Sequence, residues 1–161
     1  RSCHYYSVYS DAIMNRDFRI LHFMLKNKCP IDSDAYRLAA RHDHFDIIKL
    51  LHKYGCPWST FVCTHAAENG NFEMLKWARK NGCPWNEDTC AGAAVSGDLE
   101  MLKWARKNGC PWDSSTCEDA VEYDSFEILK WAHDNGCPWN KTRCLRLADN
   151  SEIKAWIESC D

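Results

Sequence analysis

The twelve residues MLKWARKNGCPW occupy positions 74–85, and the same twelve residues return unchanged at 101–112. Around this stretch the pair Cys-Pro recurs every 27 residues, and Trp follows it everywhere except at its first occurrence. The pairs begin at Cys29, Cys56, Cys83, Cys110 and Cys137. A second cysteine stands seven residues after each of the last four, at Cys63, Cys90, Cys117 and Cys144. Self-similarity at one fixed period predicts an array of structural repeats.

The period continues toward the N-terminus, where Tyr9 and Phe18 precede Tyr36 and Phe45 by 27 residues. The sequence therefore predicts a single repeat domain over residues 1–161. Its six units lie at about 1–28, 29–55, 56–82, 83–109, 110–136 and 137–161. The last unit departs from the period after Asp149. A polar unit that closes the array and a continuation of the array beyond residue 161 both fit this departure.

The fourth unit is representative of the array. Asn86 is expected to cap a first helix, in which Cys90, Ala93 and Ala94 recur at the spacing of one helix face. Gly97 is expected to end this helix. Because the residues of this face are small, the pattern predicts close packing against neighbouring helices.

A second helix is predicted in the same unit, with Asp98 as its N-cap. The spacing predicts a buried apolar stripe at Leu99, Leu102 and Ala105. The basic residues of this helix are expected to point largely outward: Lys103, Arg106 and Lys107. Helices of about ten residues are too short to be stable alone, so each unit is expected to depend on its neighbours.

Three segments of this unit are similar to the ankyrin repeat. Asn-Gly-Cys-Pro-Trp-Asn at 81–86 resembles the Gly-Ala-Asp-Val-Asn of that family, and the residues at 89–94 resemble its Thr-Pro-Leu-His-Leu-Ala-Ala. Gly-Asp-Leu-Glu at 97–100 is similar to its Gly-His-Leu-Glu. The ankyrin period is about 33 residues, so about six residues of the projecting finger are missing here. The resemblance implies an all-α, ankyrin-like helix-turn-helix solenoid of about six repeats with shortened finger loops. This short Cys-Pro-Trp variant also resembles repeats of giant DNA viruses and some protists.

The same resemblance places Cys83 where the ankyrin repeat has a small buried alanine, and Cys90 where it has a core leucine. Free cysteine is among the residue types most often buried, so most of the eleven cysteines are expected to be shielded, reduced thiols, including Cys83, Cys90, Cys110 and Cys117. Zinc is the alternative, but structural zinc sites use more closely spaced cysteine pairs. We therefore expect neither a metal nor another cofactor. Reduced thiols fit a cytoplasmic or nuclear location, in the host cell if the chain is viral.

Tryptophan recurs at two positions of the unit, one in the second helix and one beside the turn. The two series are Trp77, Trp104 and Trp131, and Trp58, Trp85, Trp112 and Trp139. Packing against the next repeat is the favoured interpretation of both series, and a ligand cage is the alternative.

Composition excludes several functional classes. The chain has 20 Lys+Arg against 23 Asp+Glu, for a net charge of −3, whereas nucleic-acid-binding domains are usually strongly basic. Lysine does recur on the second helix, at Lys49, Lys76, Lys103 and Lys130. Glutamates three residues earlier, at Glu73, Glu100 and Glu127, predict salt bridges along this outer face instead of a nucleic-acid site. No run of 18 apolar residues is present, so we expect no membrane-spanning helix and no membrane partner.

Catalysis needs one asymmetric set of side chains, and a repeat offers the same residues at the same spacing several times. The seven histidines occupy scattered positions of the unit, and no known catalytic motif is present. We therefore expect that the chain is not an enzyme. Residue 1 is Arg, and no leader pattern follows it, as expected of a fragment or a processed chain.

The predicted function is a non-catalytic protein–protein interaction module, an adaptor or target-recognition scaffold that is monomeric as this fragment. The alternative is a structural or self-assembling repeat protein. In ankyrin arrays the partner usually contacts the concave face, at the ends of the first helices and the turns. Two variable positions follow the Ala-Ala pair there, and they are the candidate partner-binding residues: Arg41, His42, Glu68, Asn69, Val95, Ser96, Glu122 and Tyr123. Among them, Arg41 and Tyr123 are the expected anchors, because Arg and Tyr dominate interface hot spots.

Overall fold

The computed structural model describes residues 3–160, with side chains from Tyr6 to Cys160, and within these limits the chain forms helices and turns without any strand. In this range there are twelve helices, two for each predicted unit: α1 (Cys3–Met14), α2 (Phe18–Lys26), α3 (Asp34–Arg41), α4 (Phe45–Lys53), α5 (Phe61–Glu68), α6 (Phe72–Lys80), α7 (Asp88–Ser96), α8 (Leu99–Lys107), α9 (Ser114–Glu122), α10 (Phe126–Asp134), α11 (Lys141–Leu147) and α12 (Ser151–Ser159). The predicted all-α class is confirmed. None of these described helices is long and apolar enough to cross a membrane.

The helices group into two compact units. The first comprises the chain up to Ala66 together with Glu73–Pro84, and the second comprises Ala67–Phe72 together with the chain from Trp85 onward. In the first unit α1 packs against α2 and α3, and α3 packs against α4. In the second unit α9 packs against α7, α10 and α11. Helices that are neighbours in sequence are thus also neighbours in space.

A residue in the left-handed backbone conformation follows almost every helix. Gly97 (φ 72°) ends α7, and Gly109 (φ 80°) follows α8. A left-handed residue stops the helix and reverses the chain, and glycine adopts this conformation at little steric cost. At corresponding positions of other units the same conformation falls on residues with side chains, at Arg16, Lys28, Asp43 and Asp124. The turn geometry therefore persists where the glycine is absent.

The caps of the fourth unit agree with the sequence in one helix and disagree in the other. The Asp98 carboxylate accepts a hydrogen bond from the Met101 backbone N–H (2.8 Å), as predicted for α8. The prediction for Asn86 is wrong, because its amide donates to the Asp88 carboxylate (2.8 Å) and α7 begins only at Asp88. In the last unit the corresponding residue, Asn140, does cap the first helix. Its side-chain oxygen accepts a hydrogen bond from the Arg143 backbone N–H (3.0 Å).

The buried stripe of α8 differs from the prediction by one residue. Leu102 and Ala105 are fully buried, as expected. Met101, however, is also fully buried, whereas Leu99 is only half-buried. Leu99 is the first residue of the helix, so its side chain lies at the edge of the packed face and leaves the core position to Met101. In α7 the predicted face of small residues is buried throughout, from Thr89 to Ala94.

The two tryptophan series meet in pairs within each repeat. The ring centroids are 6.1 Å apart for Trp58 and Trp77, 5.9 Å for Trp85 and Trp104, 5.8 Å for Trp112 and Trp131, and 6.3 Å for Trp139 and Trp156. All eight rings are half-buried. The first three pairs are edge-to-face and the fourth is tilted, with 50° between its ring planes. Aromatic pairs at such distances stabilise the contact between a turn and its second helix. These pairs lie within a repeat, not against the next repeat as predicted. The contacts between repeats run to the preceding one, from Trp77 to Phe45 (5.6 Å) and from Trp104 to Phe72 (5.5 Å).

Arg106 does not point outward as predicted. Its guanidinium lies over the Trp112 ring, 4.0 Å from the centroid, and donates a hydrogen bond to the backbone carbonyl of Cys110. The arginine thereby links α8 to the turn that follows it.

Candidate partner-binding surface

The eight candidate residues lie at the C-terminal ends of first helices, two on each of four helices. Arg41 and His42 end α3, Glu68 and Asn69 end α5, Val95 and Ser96 end α7, and Glu122 and Tyr123 end α9. The left-handed residue that comes one position later stops each helix, at Asp43, Gly70, Gly97 and Asp124. The two candidate positions therefore fall in the last turn, just beyond the buried small residues.

Exposure differs among the candidates. Six of them are exposed, and Tyr123 is the most conspicuous because 54% of this large side chain is accessible to solvent. Val95 and Ser96 are only half-buried. The Ser96 hydroxyl donates to the Ala93 carbonyl of its own helix (3.2 Å), so it is partly used within α7. The surface that α7 offers is thus smaller than the one that α9 offers.

In the first unit the candidate surface carries histidine and arginine. The His42 ring lies 6.0 Å from the ring of His44, which precedes α4. Burial and the positive charge of Arg16 lower the pKa of His44, so this imidazole favours its neutral form. Arg16 itself forms an ion pair with Asp46.

In the second unit the candidate surface is acidic. Asp119 lies on α9 in the electrostatic range of three glutamates, two of which are its helix neighbours Glu118 and Glu122, while the third is Glu68. Burial and these negative charges raise the pKa of Asp119 to about 6. Glu118 is compensated by an ion pair with Arg143 (2.6 Å). The structure thus brings the candidates Glu68 and Glu122 near one half-buried carboxyl group.

Sequence reasoning did not single out Asp119. The corresponding residue in the preceding unit is Gly92, which is buried in α7. The sequence does show that an aspartate replaces a glycine within a helix of small residues. The effect of this aspartate depends on which charged residues of other repeats lie near it, and only the fold shows these.

The outer face of the second helices carries the predicted ion pairs. Lysine and glutamate three residues apart are joined at 2.7 Å in Lys76–Glu73, 2.9 Å in Lys103–Glu100 and 2.5 Å in Lys130–Glu127. The charges of these lysines are therefore balanced within their own helices.

The regular spacing of the Cys-Pro cysteines has a structural reason that the sequence did not reveal. The thiols of the last three Cys-Pro cysteines each donate to a backbone carbonyl 24 residues earlier, in the preceding repeat. The Sγ–O distances are 3.5 Å for Cys83 to Ser59, 3.4 Å for Cys110 to Asn86 and 3.2 Å for Cys137 to Asp113. These cysteines therefore satisfy a polar group at the junction of two repeats, in addition to filling space.

The second cysteine of a unit contacts the Cys-Pro cysteine of the next unit. Cys90 interacts with Cys110, and Cys117 interacts with Cys137. The contact with Cys110 and burial raise the pKa of the Cys90 thiol far above its ordinary value, and Cys117 is affected in the same way. All four are nearly or completely buried, and for Cys90, Cys110 and Cys117 this confirms the prediction.

Among the described residues, no three His, Cys, Asp or Glu side chains lie close enough together to hold a metal ion. Comparison of the sequence with models of known protein families gave no match. A comparison with curated proteins likewise found no significantly similar sequence.

Proposed function

We propose that this chain is a non-catalytic protein-interaction module with the architecture of an ankyrin-like solenoid. In this proposal a protein partner binds at the C-terminal ends of the first helices, the edge that borders the concave face of such a solenoid. The observation that carries the proposal is the contrast between the constant, buried positions and the variable pair that ends each of these helices, which is exposed on three of the four helices and half-buried on α7.

Packing accounts for the constant positions. The small residues that precede each pair are buried, for example Ala93 and Ala94 in α7 and Ala120 in α9. The exposed pair contributes little to this core, and its residues change charge, size and polarity from repeat to repeat. Tyr123 supports the proposal most directly, because an exposed tyrosine on a rigid helix end offers a large contact area at a low cost in conformational entropy.

The charge of the surface suggests the character of the partner. In the second unit Glu68 and Glu122 flank the half-buried Asp119. A complementary surface would bring Lys or Arg to this edge, because opposite charges across an interface favour association. The paired lysines of the outer helix face are already balanced by glutamates and contribute less to recognition.

The test begins with affinity capture by the purified chain and identification of the bound proteins, followed by titration of the partner against variants. Tyr123→Ala should weaken binding by about 2 kcal/mol, or roughly thirtyfold, and Arg41→Ala should also weaken it. Lys103→Ala is the matched control on the outer face and should leave the affinity unchanged. The unfolding free energy of Tyr123→Ala should stay within about 0.5 kcal/mol of the parent value, since surface substitutions rarely change it more. If Tyr123→Ala and Arg41→Ala both bind with the parent affinity, this surface is not the binding site.

A further inference from the structure

The second helices carry an aromatic residue at their sixth position in every repeat except the second. In chain order the residues at this position are Phe23, Leu50, Trp77, Trp104, Trp131 and Trp156. The second repeat also has Ile31 where the later repeats have the tryptophan of the Cys-Pro-Trp turn. It therefore lacks both members of the tryptophan pair that the third to sixth repeats contain.

In three of the later repeats the tryptophan of the second helix packs against the preceding repeat. Its ring meets, edge to face, the phenylalanine that begins the preceding second helix. The centroid distances are 5.6 Å for Phe45 and Trp77, 5.5 Å for Phe72 and Trp104, and 5.8 Å for Phe126 and Trp156. The angle between the ring planes is 75° or 76° in all three pairs. These junctions therefore place an indole ring at one defined position on the phenylalanine.

Between the first and second repeats the same place is an open hollow. Here the phenylalanine is Phe18, and the residue across the junction is Leu50, whose side chain is smaller than an indole. Together with Arg19 and His22 they line a hollow of about 330 Å³, which we call the Phe18 hollow. Phe18 is 39% exposed, whereas the equivalent phenylalanines of α4, α6 and α10 are half-buried. The hollow opens toward a repeat that is present, so it follows from leucine in the place of tryptophan.

The rim of the Phe18 hollow carries basic side chains. Arg19 holds the second position of its helix, where every other second helix has an acidic residue: Asp46, Glu73, Glu100, Glu127 and Glu152. The Arg19 side chain is 95% exposed, and its Nε lies 4.0 Å from the Asp17 carboxylate, which is longer than a hydrogen bond. The His22 ring lies against Tyr54 of the second repeat, 3.3 Å from the hydroxyl. The hollow thus combines an aromatic wall with a basic edge.

We propose that the Phe18 hollow binds a tryptophan side chain of a partner protein, in a segment where acidic residues flank this tryptophan. The indole takes the place that Trp77 and Trp104 fill in their own junctions, and it covers the exposed Phe18 ring edge to face. The acidic neighbours meet Arg19, because opposite charges across an interface favour association. A free indole has no charge to match Arg19, which favours a polypeptide as the source of the ring. Tryptophan in a pocket is also a frequent anchor of protein interfaces.

This inference goes beyond the proposed function and does not depend on it, because the residues that line the Phe18 hollow belong to second helices and include no candidate partner-binding residue. The test is titration of the full 161-residue chain with capped tripeptides, followed by backbone and methyl chemical shifts. Glu-Trp-Glu should bind at least about tenfold more tightly than Glu-Ala-Glu. It should bind about fivefold more tightly than Lys-Trp-Lys, as expected of an exposed charge contact. The shifts should be largest in α2 and α4.

Two variants give the chain the residues that later repeats have. Leu50→Trp fills the Phe18 hollow, so it should weaken binding of Glu-Trp-Glu by at least about tenfold and raise the urea midpoint of unfolding. Arg19→Glu should weaken this binding by about fivefold and leave the helical circular dichroism spectrum unchanged. Lys26→Glu is the matched control, because it makes the same charge change at an exposed residue of α2 that does not line the hollow.

The control should bind Glu-Trp-Glu with the affinity of the parent chain. Equal binding of Glu-Trp-Glu and Glu-Ala-Glu, or a preference for Lys-Trp-Lys, would overturn the inference. Undiminished binding by Leu50→Trp would place the peptide elsewhere and would overturn it as well. So would equal losses in Arg19→Glu and Lys26→Glu, since these would reflect the net charge of the chain and not the rim of the Phe18 hollow.

Discussion

Two kinds of residue acquire their roles from neighbours in other repeats. The Cys110 thiol donates to the carbonyl of Asn86, and the same bond recurs one repeat later between Cys137 and Asp113. Serine could also donate at this position, but cysteine fits better because its thiol is a weak donor that otherwise packs as a hydrophobic group. Asp119 is the second kind, a carboxyl group whose ionisation is disfavoured by burial and by nearby glutamates.

Asp119 should make the stability of the protein depend on pH. Its pKa is raised from 3.8 to about 6 in the folded state, so the folded protein binds the proton more tightly than the unfolded chain does. The stabilisation by this proton is fully present below about pH 4 and is lost as the pH rises through 6. Asp119→Asn should therefore increase the unfolding free energy by about 1–2 kcal/mol at pH 7.5, less than the full shift because solvent screens a half-buried group. At pH 3.5 the variant and the parent should be equally stable.

Urea unfolding at the two pH values measures this difference, and Asp149→Asn, at an exposed aspartate in the last unit, is the control. An equal gain at both pH values would show that Asp119 is not the titrating group.

At the scale of single helices, short length is compensated by defined ends and by one buried face. Eleven of the twelve described helices have seven to nine residues, and a left-handed or an extended residue follows each of the twelve. Helix α8 shows both features. Asp98 caps its N-terminus, and Met101 and Leu102 are buried in the core. Lys103 forms an ion pair with Glu100 on the outer face. Because isolated helices of this length are unstable, the buried face supplies most of their stability.

Leu102→Ala should destabilise the protein by about 2–5 kcal/mol, because this side chain is fully buried and its removal leaves a cavity. Leu99→Ala is the matched comparison in the same helix. It should cost no more than about half as much, since Leu99 is half-buried and loses less contact area. The free energy of unfolding in urea measures both values, and equal losses would contradict the assignment of Leu99 to the edge of the core.

At the scale of the whole molecule, the cysteines differ in burial. Seven of those whose side chains the structure describes are buried: Cys63, Cys83, Cys90, Cys110, Cys117, Cys137 and Cys144. Cys29, Cys56 and Cys160 are partly exposed. A thiol reagent therefore distinguishes the surface of the folded protein from its interior.

Titration of the native protein with a thiol reagent should modify the partly exposed cysteines first. The seven buried thiols should react only when denaturant unfolds the chain, because their thiols are inaccessible and the raised pKa values of Cys90 and Cys117 disfavour the reactive thiolate. Mass spectrometry of the modified peptides assigns the sites. Rapid modification of Cys90 in the native state, or stoichiometric zinc in the purified protein, would contradict the description of these residues as buried thiols.

Local interactions could be predicted from the sequence, because they join residues a few positions apart. The pairing of Lys103 with Glu100, the cap at Asp98 and the end of α7 at Gly97 all depend on helical spacing alone. The 27-residue period extends these features to the other units, which is why the helices from α1 to α11 were predictable; α12 follows the point at which the period ends.

The properties that depend on a neighbouring repeat became known only from the fold. The bond from Cys110 to Asn86 spans 24 residues, and the raised pKa of Asp119 reflects a glutamate 51 positions away, Glu68. Ile20 has the same apolar character as the buried Ile47, and its exposure follows from the absence of a repeat packed against it in the structure. The sequence by itself determined which residues are apolar, helical or charged. Which of them are covered, and which charges lie together, depends on contacts between segments far apart in the chain.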